Sequence, residues 1–189
     1  MNFKNKSVII TGATGALGGA LACELADRGA AVTICGRSRN KTQNQYFRLE
    51  DYGKISTWKE VDITSVGQVN SFIEEVTNRR GGIDILINCA ATASPQDFDS
   101  LTEAQARNEM EINYFAPLRL IKAALPLMKA KGTGWILNIS SVCALNPYPF
   151  LSSYSASKAA LSALTQALQV ELYGTNILVS NVYVGKLSQ

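Results

Sequence analysis

Residues 7–19 read Ser7-Val8-Ile9-Ile10-Thr11-Gly12-Ala13-Thr14-Gly15-Ala16-Leu17-Gly18-Gly19. Ser7–Thr11 is a short, largely β-branched run, the composition of a strand buried on both faces. Gly12, Gly15, Gly18 and Gly19 follow where that strand turns into a helix, predicted over Leu17–Arg28 and closed by Gly29. Small residues in such a turn let the backbone approach a pyrophosphate, whose charge is met by free N–H groups and the positive helix end. Glycines are common in strand-to-helix turns. Their place directly after the first strand is what gives the dinucleotide reading its weight.

Outward from this turn, short apolar runs alternate with longer segments of helical period. Strands are predicted at Ala31–Cys35, Ile55–Val61, Ile83–Asn88, Trp135–Ile139 and Ile177–Val184, with a polar, weakly periodic stretch before Tyr52. Ser65 is a natural N-cap for a helix reaching Arg80, with Val66, Val69, Phe72, Ile73 and Val76 on one stripe. Thr102–Lys131 is helical but holds Pro117 and Pro126, so a kink or break is expected. Ser153–Tyr173 is a further helix. Near-continuous apolar strands separated by helices predict a doubly wound α/β domain with a parallel sheet, one unit over residues 1–189.

The chain has 189 residues, 47% hydrophobic and 17% charged, with a formal net charge of +3. That charge is too mild to argue for a nucleic-acid or membrane-surface partner, and no apolar run approaches the roughly 18 residues of a membrane span. Histidine is absent, which excludes Ser-His-Asp triads, HExxH zinc sites and any imidazole proton transfer. Cys23, Cys35, Cys89 and Cys143 stand singly in apolar surroundings, with no Cys-x-x-Cys pair. They read as buried thiols of a reducing compartment rather than metal ligands, and a cytoplasmic location is expected.

A dinucleotide turn of this kind calls for an acid about 20 residues on, to hold the adenine ribose. Arg37 stands nineteen beyond Gly18, after Gly36. A guanidinium pairs bidentately with a 2′-phosphate that an aspartate would repel, and Arg39 and Lys41 add positive charge. NADP(H) is therefore expected in preference to NAD(H). An ordinary solvated basic loop is the plainer alternative.

Tyr154 and Lys158 are four apart on a predicted helix and share a face. Chance readily yields such a pair. Its weight comes from Asn88, Asn113 and Ser140-Ser141, each after a strand or early in a helix, on the side where open α/β sheets bind ligands. Simpler roles exist: Asn113 could cap or bridge within its helix, Asn88 and Asp62 could hold loops together, and Ser140 could replace Ser141. Tyr148, Pro149, Phe150 and Tyr183 suggest an aromatic-lined pocket.

Together these residues resemble the short-chain dehydrogenase/reductase superfamily, in its single-domain branch, from the Thr11-Gly12 turn to Gly185. Residues 11–18, including Thr14, Gly15, Ala16 and Leu17, look like the family's cofactor loop, with Ala16 where the middle glycine usually falls. Either Gly15 serves instead, or the loop follows the G-x-x-G-x-x-G spacing of the longer branch. Asp62-Ile63 resembles the acidic pair that contacts adenine. Asn88-Cys89-Ala90-Ala91 resembles the Asn-Asn-Ala-Gly motif that supports the central sheet, changed at its second and fourth positions. Asn113, Ser141, Tyr154 and Lys158 match the catalytic tetrad, with Ser141 thirteen before the tyrosine, the single-domain spacing.

The resemblance implies a Rossmann fold of α/β/α layers and hydride transfer between nicotinamide and a small carbonyl or secondary alcohol, with Tyr154 as acid/base. A tyrosine working near pH 7 needs its phenolate stabilised by up to about 4 kcal/mol, and Lys158 and the oxidised nicotinamide would supply that field. By the same resemblance Lys158 holds the nicotinamide ribose, Ser141 bonds the substrate oxygen and Asn113 anchors a relay water. Homodimers or homotetramers through the helices matching Thr102–Lys131 and Ser153–Tyr173 are implied too. The alternative is a catalytically impaired or regulatory NADP(H)-binding protein. An epimerase of the longer branch is disfavoured by length and by the Ser–Tyr gap.

Family members continue past Ile177–Val184 with a substrate lid and a further strand, whereas here Gly185-Lys186-Leu187-Ser188-Gln189 remain, and Val184 replaces a proline. The last strand and lid are expected to be missing, leaving Ile177–Val184 an open apolar edge and the site wet.

Overall fold

A computed structural model describes residues 2–50 and 56–185. Six parallel strands, β1 (Ser7–Thr11), β2 (Ala31–Gly36), β3 (Thr57–Glu60), β4 (Ile85–Asn88), β5 (Gly134–Ser141) and β6 (Ile177–Val184), form one sheet in the order β3-β2-β1-β4-β5-β6. Register pairs Thr11 with Cys35 on one side and with Asn88 on the other. The winding reverses between β1 and β4, so the loops leaving these two strands diverge and open a crevice beyond their carboxyl ends.

Strand alternation sorts the apolar residues into two cores. Val8 and Ile10 face α1 (Ala16–Asp27) and α2 (Arg39–Glu50). Ile9, Leu86 and Ile136 face α3 (Val66–Arg80), α5 (Ala116–Lys131) and α6 (Ser152–Glu171). β1 and β4 are buried at every position, which explains runs without a polar break. Ser65 caps α3 by accepting from the Gln68 N–H, and Gly81 ends it at φ 70°.

Polar residues tie α6 to the sheet. Asn88 Nδ2 donates to Asn138 Oδ1 at 2.8 Å, and Asn138 Nδ2 donates to Thr165 at 2.9 Å. At the amino ends of the strands, the Asp84 carboxylate accepts from the Ser7 N–H at 2.8 Å and pairs with Lys131 at 2.8 Å and Lys6 at 3.3 Å. Burial pushes the Asp84 carboxyl up, but the Lys131 hydrogen bond, the Ser7 N–H and the two ammonium charges outweigh it and hold it below the usual range.

Several expected boundaries move. β5 is longer than Trp135–Ile139, and β3 begins at Thr57; Ile55 lies outside the described residues, as do 186–189 of the terminal segment. The polar stretch before Tyr52 contains α2, a surface helix whose weak periodicity hid it. Thr102–Lys131 divides into α4 (Glu103–Met110), a π-turn over Glu111–Phe115, and α5. In the π-turn the Ala116 N–H reaches the Glu111 carbonyl, and Pro117 has no N–H to offer the Asn113 carbonyl one turn back. Pro126 does not break α5, since it sits on the exposed face, where water can meet the released carbonyl.

Candidate active site

A cleft of about 570 Å³ opens beyond the carboxyl ends of the strands. The glycine turn forms its floor. Gly12 has φ +71°, and a Cβ there would lie 2.6 Å from the Ala90 backbone. A Cβ on Gly18 would meet the Gly12 carbonyl oxygen at 2.4 Å. The Thr11 hydroxyl accepts from both the Cys89 and Ala90 N–H groups at 3.1 Å, clamping the ends of β1 and β4 together. Thr14, Gly15, Ala16 and Leu17 also line the cleft, with the amino end of α1 opening onto it and no acidic residue in that helix's first turn. Such a cradle suits an anionic, extended ligand.

Exposed Arg37 forms one rim with Gly36, while Arg39 packs over the Trp58 ring, 5.7 Å from its centre. Ile63 lines the cleft but Asp62 does not. The Asp62 carboxylate accepts from the Thr64 N–H at 3.0 Å and the Thr64 hydroxyl at 2.8 Å. Those bonds, with Arg37 adding its charge, hold it below the usual carboxylate range despite some burial. This is the loop-holding role that the sequence also allowed, and both of these bonds fall on Oδ1.

Ser141, Tyr154 and Lys158 come together at the far end. Lys158 Nζ donates to the Ile139 carbonyl at 2.8 Å and stands 5.9 Å from the centre of the Tyr154 ring. Burial brings the lysine down to about 8, against a smaller opposing pull from Cys89. Burial pushes the Tyr154 phenol above its ordinary value of 10.0; a hydrogen bond from Ser141 works the other way, and Cys143 and Glu109 add to the rise. Lysine proximity alone therefore does not make the phenol acidic; the field expected from the sequence includes the oxidised nicotinamide as well. Ser141, not Ser140, faces the tyrosine: the Ser140 hydroxyl bonds Ser162 and the Lys158 carbonyl inside the β5–α6 contact.

Asn88 and Asn113 do not line the cleft. The Asn88 side chain points into the polar chain described above, the sheet-supporting role of the motif it resembles. Asn113 is fully buried, its side chain giving hydrogen bonds to the Thr92 carbonyl and Ser157 and accepting one from the Thr92 N–H. Its side chain thus bridges the loop after β4 to α6. Tyr148 and Phe150, 49% and 60% exposed, lie outside the cleft, which corrects the aromatic pocket. Cys35, Val61 and Ile139 line it unforeseen; their signal was position, each near a strand's carboxyl end. Glu109 was also missed, although an acid on the stripe shared with Ile112 and Ala116 is unusual enough to notice.

A parallel sheet of this strand order, with a glycine-floored cleft at its switch point, is the architecture of dinucleotide-binding α/β proteins. The family model for short chain dehydrogenases matches residues 6–188, and the chain belongs to that family of nicotinamide-dependent dehydrogenases and reductases. It is 34% identical over 185 residues to the uncharacterized oxidoreductase YvrD of Bacillus subtilis, covering 98% of this chain and 70% of that protein. It is also 34% identical to dehydrogenase/reductase SDR family member 7B of Danio rerio, over 95% of this chain and 60% of the other. A crystal structure of NAD+-bound xylitol dehydrogenase superposes with a TM-score of 0.96 at 25% identity, over 100% of this chain and 73% of that one. Among the described residues no helix is long and apolar enough to cross a membrane.

Proposed function

We propose that the protein is an NADP(H)-dependent oxidoreductase acting between a carbonyl and a secondary alcohol, with Tyr154 exchanging the proton. The observation that carries this is the meeting of Ser141, Tyr154 and Lys158 at the far end of the cleft that the glycine turn floors. The residues fit a nicotinamide dinucleotide: Gly12 and Gly18 let the turn close tightly against the Ala90 backbone and the Gly12 carbonyl at the floor of the cleft, and the rim beyond β2 carries a cation. Gly12, Thr14, Gly15, Ala16, Leu17 and Gly18 would hold the pyrophosphate, with Ile63 and Ala90 flanking the adenosine and nicotinamide portions. Arg37 would pair with the 2′-phosphate, and the preference for NADP(H) rests on that side chain.

The bound nicotinamide supplies or accepts the hydride. Ser141 would donate a hydrogen bond to the substrate oxygen, while Tyr154 gives it a proton in reduction and removes one in oxidation. Lys158, protonated below about pH 8, would bind the ribose and favour the phenolate. Assembly through α5 and α6 would cover exposed Phe115 and Val170, 41% and 78% accessible.

The test is NADPH oxidation with a panel of ketones, aldehydes and quinones, wild type against Tyr154→Phe. Turnover with at least one class, abolished in the variant while nucleotide binding stays nearly intact, is expected. Firm NADPH binding with no turnover on any class would make the protein a binding or regulatory member instead. Undiminished rates in Tyr154→Phe would remove the tyrosine from the chemistry.

A further inference from the structure

Glu109 is 1% exposed, a carboxylate on the buried stripe of α4. Both its oxygens are engaged. Oε1 accepts the Ser94 N–H at 2.6 Å, and Oε2 accepts the Ser153 hydroxyl at 2.5 Å. Ser94 belongs to the loop after β4; Ser153 is in the first turn of α6, immediately before Tyr154. One turn further along the same helical segment, Asn113 makes the matching link from Thr92 to Ser157. Two buried polar residues thus stitch the loop to α6, and the outer stitch ends beside the tyrosine.

An apolar side chain would fill the position without the cost of burying a carboxylate. Two hydrogen bonds offset part of that cost. The amino end of α6 offsets more, because its first turn holds no acidic residue and Glu109 supplies the negative charge there.

We propose that Glu109 is a positioning residue for Tyr154: through Ser153 it fixes the first turn of α6, and with it the place of the phenol beside Ser141 and Lys158. This rests on the acid/base role given to Tyr154 above. After burial, the groups that act on the phenol are Ser141 and Cys143 from the end of β5 and the turn after it, and more weakly Glu109 from α4; Lys158 of α6 stands beside the ring. Of these, Glu109 and Cys143 oppose phenolate, and Ser141 favours it.

Glu109→Gln separates charge from clamp, since the amide can still accept from Ser94 and donate to Ser153. Glu109→Met removes both in an apolar form that the buried stripe accommodates. A fluorinated tyrosine placed at position 154, followed by fluorine NMR against pH, reports the phenol without substrate or nucleotide. Its resonance should keep the wild-type shift in Glu109→Gln, which retains the clamp, and should move or broaden in Glu109→Met, which loses it. A wild-type resonance in folded Glu109→Met, or loss of the fold in both variants, would overturn the positioning role. A protein that turns over no substrate still gives this readout, so failure of the proposed activity and failure of this inference are seen separately.

Discussion

The Lys158 ammonium is tethered to β5, not to the phenol it accompanies: it donates to the Ile139 carbonyl at 2.8 Å while the Tyr154 ring centre lies 5.9 Å away. The pair is brought together, as its four-residue spacing requires, but the nucleotide-free site keeps the phenol neutral. Burial of each group opposes its charged form.

Lys158 makes stability depend on alkaline pH. Its folded-state value near 8 lies below the ordinary 10.5, so between those values the unfolded chain binds more protons and stability rises with pH. Urea unfolding of the nucleotide-free protein should show this contribution across pH 8 to 10.5, and Lys158→Met should flatten it.

Cofactor choice should follow Arg37. Melting shifts grow as RT ln(1 + [L]/Kd), so NADPH should raise Tm more than NADH at equal concentration. Arg37→Asp should reverse the order, and equal shifts in the wild type would discard the arginine argument.

The glycine floor should tolerate no side chain. Gly18→Ala places a methyl 2.4 Å from the Gly12 carbonyl oxygen, and Gly12→Ala adds a positive φ to a 2.6 Å backbone contact. Each should cost about 1–3 kcal/mol by denaturant titration and weaken dinucleotide binding at least tenfold by calorimetry. Retention of wild-type affinity would remove the turn from the binding site.

Asn88 and Asn138 should behave as scaffold. Asn138→Ala severs the chain from β4 to α6 and should cost about 2 kcal/mol of stability, with Asn88→Ala somewhat less. Nucleotide affinity measured well below Tm should change less than threefold in both. A large affinity loss without destabilisation would restore the cofactor contact first expected of Asn88.

The sheet was legible because buried parallel strands are written as unbroken apolar runs, and Ser7–Thr11 or Ile85–Asn88 needs no neighbour to identify it. The cleft was legible where a residue's chemistry and its place at a strand end agree, as for Gly12, Ser141, Tyr154 and Lys158. Asp62 and Asn88 kept two readings for one reason. Sequence places them at the right end of the sheet, but which way a side chain points depends on partners such as Thr64 and Asn138 that spacing does not specify. Glu109 escaped because its partners, Ser94 and Ser153, are fifteen and forty-four residues away. α2 escaped because a solvent-facing helix leaves little apolar rhythm to read.

The Asp84 cluster sits at the pole opposite the cleft. Its depressed carboxyl contributes cohesion above the unfolded-chain value, and acidification removes that contribution as pH falls through the folded one. Proton chemistry at Tyr154 and Lys158 belongs to the basic range. Acid tolerance and the titration of that pair are thus located at opposite ends of the same strands, and a variant library confined to Lys6, Asp84 and Lys131 can retune the first while leaving the second as it is.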